Sequence, residues 1–430
     1  MQEHNISEGN FEQCLKCDLC TSVCPMMEVN PAYPGPKQAG PDGERYRLKD
    51  PGYFDMTLRF CLNCKRCEVA CPSGVKVGDI IQRARLKYYK QHNIVRDLML
   101  ASTDVVGPLA VSFAPVVNAA AQAPLVKELL DRSGGISKER TLPHYSDTRF
   151  VRWFRGKAPS QEGYARYVSY FHGCYVNYNY PQLGKDFVAL MNACGYGVRL
   201  LDGERCCGVA LVSGGFGSRA VRHAKANVRS FERALEAGFE AVLTTGSTCT
   251  FTMRDEYPHL LGVDNGPSVR QSLMMTVKWL YDKFERGGIR LVWKKDFHLR
   301  AAYHTACHMN KLGWAVYAVS LLRMIPGLDL TVLEQECCGM AGTFGFKKEN
   351  IAYSKAIGSK LFDHIREALD AGGAEDEAVV ITDCETCKWQ IEEGTGLKVL
   401  NPVSVIVSAL DLEATAFANR RSLDSFGEIA

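Results

Sequence analysis

Between residues 166 and 415, short apolar runs alternate with longer stretches whose apolar residues recur at helical spacing. Residues 167–171, 198–201 and 241–244 read as strands, with helices near 182–194 and over 219–237. The order then repeats, with strands 300–304, 330–333 and 378–382 and helices 315–324 and 350–371. Strands that alternate with helices predict parallel α/β units. Chemical landmarks repeat in step: Cys174, Cys206 and Cys249 are followed by Cys307, Cys337 and Cys387 at offsets of 133, 131 and 138 residues. So steady an interval predicts duplicated domains, 166–290 and 298–415.

The first 165 residues are patterned differently. Residues 77–89 read as a helix, with Ile80, Ile81, Ala84 and Tyr88 at helical spacing and Asp79 near its start. Residues 30–41 are dense in Pro and Gly and read as a loop, either a docking surface or a cover. From Val105 to Val126 there are 22 residues without a charge, long enough to span a bilayer. Pro108, Pro115 and Pro124 interrupt that run, which a regular spanning helix tolerates poorly. The expectation is short helices lying on or dipping into a membrane face; the competing reading is a helical hairpin packed on the protein's own core. Arg149, Arg152 and Arg155 follow, opposite Phe150, Val151, Trp153 and Phe154 on a helical wheel. That pattern suits an interfacial helix near anionic lipid, or a basic solvated face over a core helix. The segment 96–165 is therefore a candidate membrane-contacting linker after an N-terminal domain, 1–95.

At 430 residues, 46% hydrophobic and 23% charged, the chain has the composition of a globular protein of about three domains. A net charge of +3, without a long Lys/Arg block, argues against a nucleic-acid partner. Cysteine is the departure, with 18 residues. The N-terminus is polar and acidic and has no apolar signal core, which predicts a cytoplasmic chain. There thiols stay reduced and clustered cysteines bind metal.

Cys61, Cys64, Cys67 and Cys71, followed by Pro72, have the spacing of a bacterial [4Fe–4S] ferredoxin run. Cys14, Cys17, Cys20 and Cys24, followed by Pro25, repeat it. Three cysteines of each run wrap one cluster and the fourth serves the other. Cys14, Cys17, Cys20 and Cys71 are thus expected to hold one cubane, and Cys61, Cys64, Cys67 and Cys24 the other. Zinc prefers two Cys-x2-Cys pairs and fits this spacing less well.

The duplicated domains carry Cys206-Cys207-Gly208 and Cys337-Cys338-Gly339. Adjacent side chains on an extended backbone diverge, so both thiolates reach one metal only through an unusual turn, which the glycine permits. A vicinal disulfide is the alternative, disfavoured in a reducing compartment. The cysteines fall at the C-terminal ends of strands, where such sheets place ligand sites. In the second copy Cys307, Cys337, Cys338, Cys384 and Cys387 number one more than a cubane requires, which suggests an atypical cluster. The first copy has Gly246 where the second has Cys384, leaving Cys174, Cys206, Cys207 and Cys249 for an altered cluster, another metal or nothing. The fold class is α+β multidomain: a helical two-cluster ferredoxin domain followed by two α/β Cys-Cys-Gly domains.

These repeats resemble those of the heterodisulfide reductase B-subunit, the glycolate oxidase iron–sulfur subunit and lactate-utilisation proteins. In that family a complete five-cysteine set can hold a non-cubane [4Fe–4S] cluster. Residues 33–45 (YPGPKQAGPDGER), 78–85 (GDIIQRAR) and 382–390 (TDCETCKWQ) further resemble the iron–sulfur subunits of anaerobic glycerol-3-phosphate dehydrogenases. That likeness runs from about Phe11 to Ala409. It implies an electron-transfer and membrane-anchoring subunit, peripheral on the cytoplasmic face of the inner membrane. The implied partners are the two flavin-containing dehydrogenase subunits, lipid, and menaquinone as electron acceptor. The competing readings are a catalytic disulfide reductase and a zinc-containing structural anchor.

No G-x-G-x-x-G follows a strand and no Walker A motif occurs, so a flavin is expected in a partner. Residues 214–217 and 342–345 are Gly-rich and read as cluster-wrapping loops. His172, His304 and His308 lie beside the first cysteines of the repeats. They are candidates to donate hydrogen bonds to cluster sulfur, to pass protons to a quinone, or simply to pack. Lys347 and Lys348 either offset cluster charge or form a solvated surface. Asp383 is a proton acceptor or a turn cap, Trp389 a core residue and Cys194 a buried free thiol.

Overall fold

The computed structural model describes residues 11–427 except 51, 54, 89–92 and 371–377, with side chains described to residue 420. Tyr89 and Ala371, the last residues of two helices expected from the sequence, lie outside the described residues. The N-terminal part is built of short helical pieces around α1 (Val77–Tyr88). Ile80, Ile81 and Ala84 of α1 are buried with Met26, Leu58 and Val75, as their spacing on one face requires.

The expected loop 30–41 is helical in its second half. A wide turn, Gln38–Asp42, runs straight into the helix Gly43–Lys49. Pro41 has no N–H to close an ordinary helical bond, and the i→i+5 turn accommodates it. Tyr33, Ala39, Gly40 and Pro41 are buried, so this stretch covers the domain beneath it.

The charge-free run forms α2 (Thr103–Ser112) and α3 (Ala114–Gln122), bent 103° at their junction. Among the described residues no single helix is long and apolar enough to cross a membrane. One side of the hairpin packs on the protein: Ala110, Val111 and Ala114 are buried, and Gly107 lies against the Tyr178 ring. The other side exposes Val105, Leu109, Phe113 and Val116, and the ridge continues through Leu125 and Leu129. The packed side is that of a hairpin on the protein's own core, and the other is an exposed apolar ridge.

The helix α4 (Phe150–Lys157) corrects the interfacial reading of residues 149–155. Phe150 is fully buried in the core of the first cysteine domain, stacked on Trp153 at 5.8 Å and edge-on to Tyr170. Its ring fills space over Gly184 that a Cβ would occupy. The aromatic face therefore turns to protein, and Arg149, Arg152 and Arg155 are the exposed face of a core helix.

The first parallel sheet has β1 (Arg166–Phe171), β2 (Tyr196–Leu200), β3 (Val242–Thr244) and β4 (Leu273–Met275) in the order β2-β1-β3-β4. The second has β5 (Leu299–Tyr303), β6 (Leu328–Val332), β7 (Ala378–Ile381) and β8 (Val399–Leu400) in the matching order β6-β5-β7-β8. Register is fixed by apolar pairs such as Val168↔Val198, Tyr170↔Leu243 and Ala302↔Val380. Helices cover both faces, so β1 and β5 read as near-continuous buried runs. The covering helices include α5 (Pro181–Ala193), α6 (Gly217–Glu236), α7 (Ser247–Phe251), α8 (Cys307–Leu312), α9 (Ala315–Arg323), α10 (Ile351–Asp370) and α11 (Glu385–Thr395). Cys194, just after α5, is fully buried, and Trp389 packs against the core beside Tyr175.

Residues 93–142 strap the molecule together. Arg96 makes two hydrogen bonds of 2.9 Å to Glu349, and fully buried Arg140 reaches Gln390, Glu393 and Ser354. Lys347 is buried and pairs with Asp97 at 3.0 Å, and Lys348 pairs with Asp131. Lys347 is therefore no solvated charge, whereas Lys348, though paired, keeps about half of its side chain in solvent.

Candidate metal centres

Cys14, Cys17, Cys20 and Cys71 line one cavity of about 330 Å³ with its open mouth, and Cys24, Cys61, Cys64 and Cys67 a second of about 370 Å³ on the same measure. Each run turns three thiols into one cavity and sends its fourth to the other. The backbone explains how. Lys16 and Asp18 adopt φ of 57° and 63°, and the equivalent Asn63 and Lys65 adopt 56° and 61°. A left-handed residue other than Gly costs about 1–2 kcal/mol. Here it curls each loop so that its cysteines face a common centre. Backbone and side-chain N–H groups already point at sulfur: Val75 donates to Cys71 at 3.3 Å and Gln82 to Cys61 at 3.4 Å. Tyr33 and Pro36 wall the second cavity, while Cys17 of the first is exposed.

Beneath the second run lies a buried ionic junction. The Lys65 ammonium, fully enclosed, bonds Asp79 and lies 3.6 Å from Glu68 and 3.7 Å from Glu256. Burial alone would lower its pKa, but the three carboxylates outweigh burial and hold it charged. Glu256 comes from the first cysteine domain, and Lys311 of the second reaches Glu68 at 3.0 Å. The three units meet here.

In the second cysteine domain β5 lies between β6 and β7, the reversal point where such sheets place ligands. Cys307 opens α8 after β5, Cys337 and Cys338 follow β6, and Cys384 and Cys387 follow β7. All five line one cavity of about 640 Å³, including its mouth. Gly339, at φ 82°, lets the vicinal pair turn into it, since a Cβ there would collide with the Ser354 carbonyl. Burial holds the Cys307 and Cys337 thiols well above their ordinary range. The hydrogen bond from Cys387 holds Cys384 down at about 5 against burial. Metal binding therefore displaces protons from this site. Leu62, Asn63 and Cys64 form the opposite wall, so Cys64 borders both this cavity and the second ferredoxin cavity.

The histidines separate here. His304 is 1% exposed, lines this cavity, and has no hydrogen-bond partner at either ring nitrogen among the described residues. Burial pushes its pKa down to about 4, so the ring is neutral and carries one N–H donor. His308 is a clasp: it stacks on Phe251 at 4.7 Å, meets Thr248 Oγ1 at 3.2 Å, and its Nε2–H donates to the Asn63 carbonyl at 3.0 Å. His172 in the first domain is tied by Nδ1 to the Gly173 carbonyl at 2.9 Å and lies 3.2 Å from Glu204. Asp383 accepts from Tyr303 at 3.0 Å, its carbonyl accepts from Ser247, and burial pushes its carboxyl up to about 7.

The first domain brings Cys174 and Cys206 to 4.0 Å and holds Cys207 and Cys249 beside them. Asp104, at the start of α2, accepts the Cys206 N–H at 3.2 Å. A Cβ built on Gly246 would lie 3.0 Å from the Glu385 Cδ. Burial and then Cys384 push the Glu385 carboxyl up to about 8. Sequence reasoning missed Glu385, Asp104 and Gln82. Glu385 alone left a signal, standing in the Cys384-x-x-Cys387 turn opposite the glycine.

Among the described residues no three His, Cys, Asp or Glu side chains close on one point as a single ion requires. Thiols spread around enclosed space, with N–H groups aimed at sulfur, fit a polynuclear iron–sulfur cluster better than zinc.

Fold and site together define an iron–sulfur protein that joins a two-cluster ferredoxin-type domain to twin cysteine-rich domains. Residues 10–75 match the family described as a 4Fe-4S dicluster domain, and residues 168–254 and 301–392 the cysteine-rich domain named CCG. Over 405 residues the chain is 50% identical to the C-subunit of anaerobic glycerol-3-phosphate dehydrogenase of Escherichia coli strain K12, covering 94% of this chain and all of that one. The chain belongs to the family of these dehydrogenase C-subunits. It is also 25% identical to the B-subunit of the CoM/CoB fumarate reductase of Methanothermobacter marburgensis, over 93% of this chain and 71% of that one. Lactate utilization protein A 2 of Bacillus cereus is 28% identical over 47% of this chain and 83% of its own length. Among solved structures, a glutamate racemase from Bacillus anthracis aligns at a TM-score of 0.26 with 12% identity, over 62% of this chain and 84% of that one. So slight an overlap bears on neither fold nor function.

Proposed function

We propose that this chain carries electrons from flavin-containing partner subunits, which oxidise sn-glycerol 3-phosphate, to menaquinone. One observation carries the reading: three cysteine-lined cavities lie in series, the first two joined by exchange of a cysteine and the last two by the shared Cys64. Cys14, Cys17, Cys20 and Cys71 hold one cubane, Cys24, Cys61, Cys64 and Cys67 the next. Cys307, Cys337, Cys338, Cys384 and Cys387 hold a third, non-cubane cluster. One-electron relay is the chemistry such clusters supply when bound. The chain's own residues do the rest. Tyr33 and Pro36 exclude water, and Gln82, Val75 and His304 present N–H groups that set potential. The exposed Cys17, flanked by exposed Leu15 and Leu19, offers the face for the flavin partner.

The apolar ridge Val105, Leu109, Phe113 and Val116 supports peripheral attachment to the cytoplasmic face of the inner membrane, with menaquinone drawn from it. A disulfide substrate in solution requires no such ridge, which favours the quinone over the disulfide-reductase reading. The test is the purified complex under anaerobic conditions with sn-glycerol 3-phosphate as donor. Menaquinone reduction that is lost in Cys337→Ser supports the proposal. Reduction of a disulfide but not of menaquinone overturns it.

A further inference from the structure

The first cysteine domain lacks one of five ligands, and the second domain reaches into the gap. Gly246 is the counterpart of Cys384. A Cβ on Gly246 would lie 3.0 Å from Cδ and 3.1 Å from Oε2 of Glu385, so this carboxylate stands where a cysteine side chain would project. We propose that Glu385 is the missing ligand, and that Cys174, Cys206, Cys207, Cys249 and Glu385 bind an iron–sulfur cluster of mixed thiolate and carboxylate ligation. The proposal rests on reading these domains as iron–sulfur sites.

Three further observations support it. Among the described residues no side-chain donor or cation partners the half-buried Glu385 carboxylate, and the nearby cation Lys388 is committed to Glu392. A sequestered carboxylate calls for a counter-charge, and iron supplies one. The exchange is also reciprocal. The Thr248 hydroxyl of the first domain lies 3.5 Å from Cys384 Sγ and lines the second domain's cavity. Both crossing side chains come from the equivalent turn, and the Ser247 N–H fastens the turns together by donating to the Asp383 carbonyl at 2.9 Å. Finally the thiols converge. Cys174 and Cys206 lie 4.0 Å apart, and a Cβ on Gly173 would lie 3.8 Å from Cys249 Sγ. Carboxylate is a harder ligand than thiolate, and the iron it holds differs electronically from its neighbours. This site adjoins the apolar ridge, because Asp104 of α2 holds the Cys206 N–H.

The test is iron content and Mössbauer spectroscopy of the full complex enriched in ⁵⁷Fe and purified anaerobically. Subtracting Cys206→Ser from the native spectrum isolates the first domain, with an expected loss of about four irons per chain. Glu385→Gln keeps the size of the side chain and removes the anionic ligand. It is expected to abolish the iron component of largest isomer shift in that difference spectrum, or to release that iron. Gly246→Cys with Glu385→Ala is expected to restore the iron with an all-thiolate spectrum. A Glu385→Gln spectrum identical to native, or no iron lost in Cys206→Ser, overturns the proposal. Cys337→Ser keeps the two readings apart: if it loses a cluster while Glu385→Gln is silent, this inference alone falls.

Discussion

The two cysteine domains share strand order, turn positions and their first, second and third cysteine landmarks, yet they meet the same task differently. The second has five thiols around a cavity of about 640 Å³, mouth included, with His304 unpartnered at both ring nitrogens among the described residues. The first has four thiols, the Glu385 carboxylate in the fifth place, and His172 committed to Gly173 and Glu204. The second domain faces the ferredoxin unit through Cys64, whereas the first meets the apolar ridge through Asp104. Duplication supplied two equal frames, and the neighbours of each frame decided what its site became.

The largest test of that contrast removes one ligand from each domain. Cys337→Ser is expected to lose about four irons per chain while the ferredoxin signals persist, and Cys206→Ser to leave the second domain's signal intact. Electron paramagnetic resonance beside iron quantification reads both. A single pooled signal, diminished equally by either change, would erase the distinction.

Next comes the junction that holds both domains to the ferredoxin unit. Lys65→Met leaves Asp79 and Glu256 without their ammonium and Glu68 with Lys311 alone, and unpairing a buried charge costs about 3–5 kcal/mol. Anaerobic thermal unfolding is expected to show that loss. Protection of the first domain from hydrogen exchange falls with it, since Glu256 is one of the contacts that tie that domain to the ferredoxin unit. A smaller effect is expected from Gly246→Cys, which overpacks against Glu385 at about 1–3 kcal/mol. Adding Glu385→Ala is expected to recover most of it, as read by denaturant midpoint.

The smallest effect concerns the two histidines. His304→Phe removes the unpartnered donor from the second site and is expected to lower that cluster's midpoint potential, because a donor to sulfur favours the reduced, more negative state. His172→Phe is expected to leave it unmoved. Redox titration of both variants checks the pair.

Much of this was legible in the sequence because the constraints are local. The cysteine runs announce themselves by spacing, and the strands 167–171, 241–244 and 378–382 are buried parallel runs with a strong apolar signal. The strands β4 and β8, three and two residues long, are too short to carry a periodic signal. The helical wheel of residues 149–155 reported two faces but not what each meets, and Gly184 on another helix decided that Phe150 turns inward. The left-handed turns at Lys16, Asp18, Asn63 and Lys65 contain no glycine to mark them. Glu385 acts across the interface between the repeats, and no spacing within either repeat encodes that contact.

The most direct test of the account is electron flow in the Cys337→Ser complex. With sn-glycerol 3-phosphate as donor under anaerobic conditions, the account predicts that the two ferredoxin clusters become reduced while menaquinone does not. Menaquinone reduction at the native rate in that variant would contradict it.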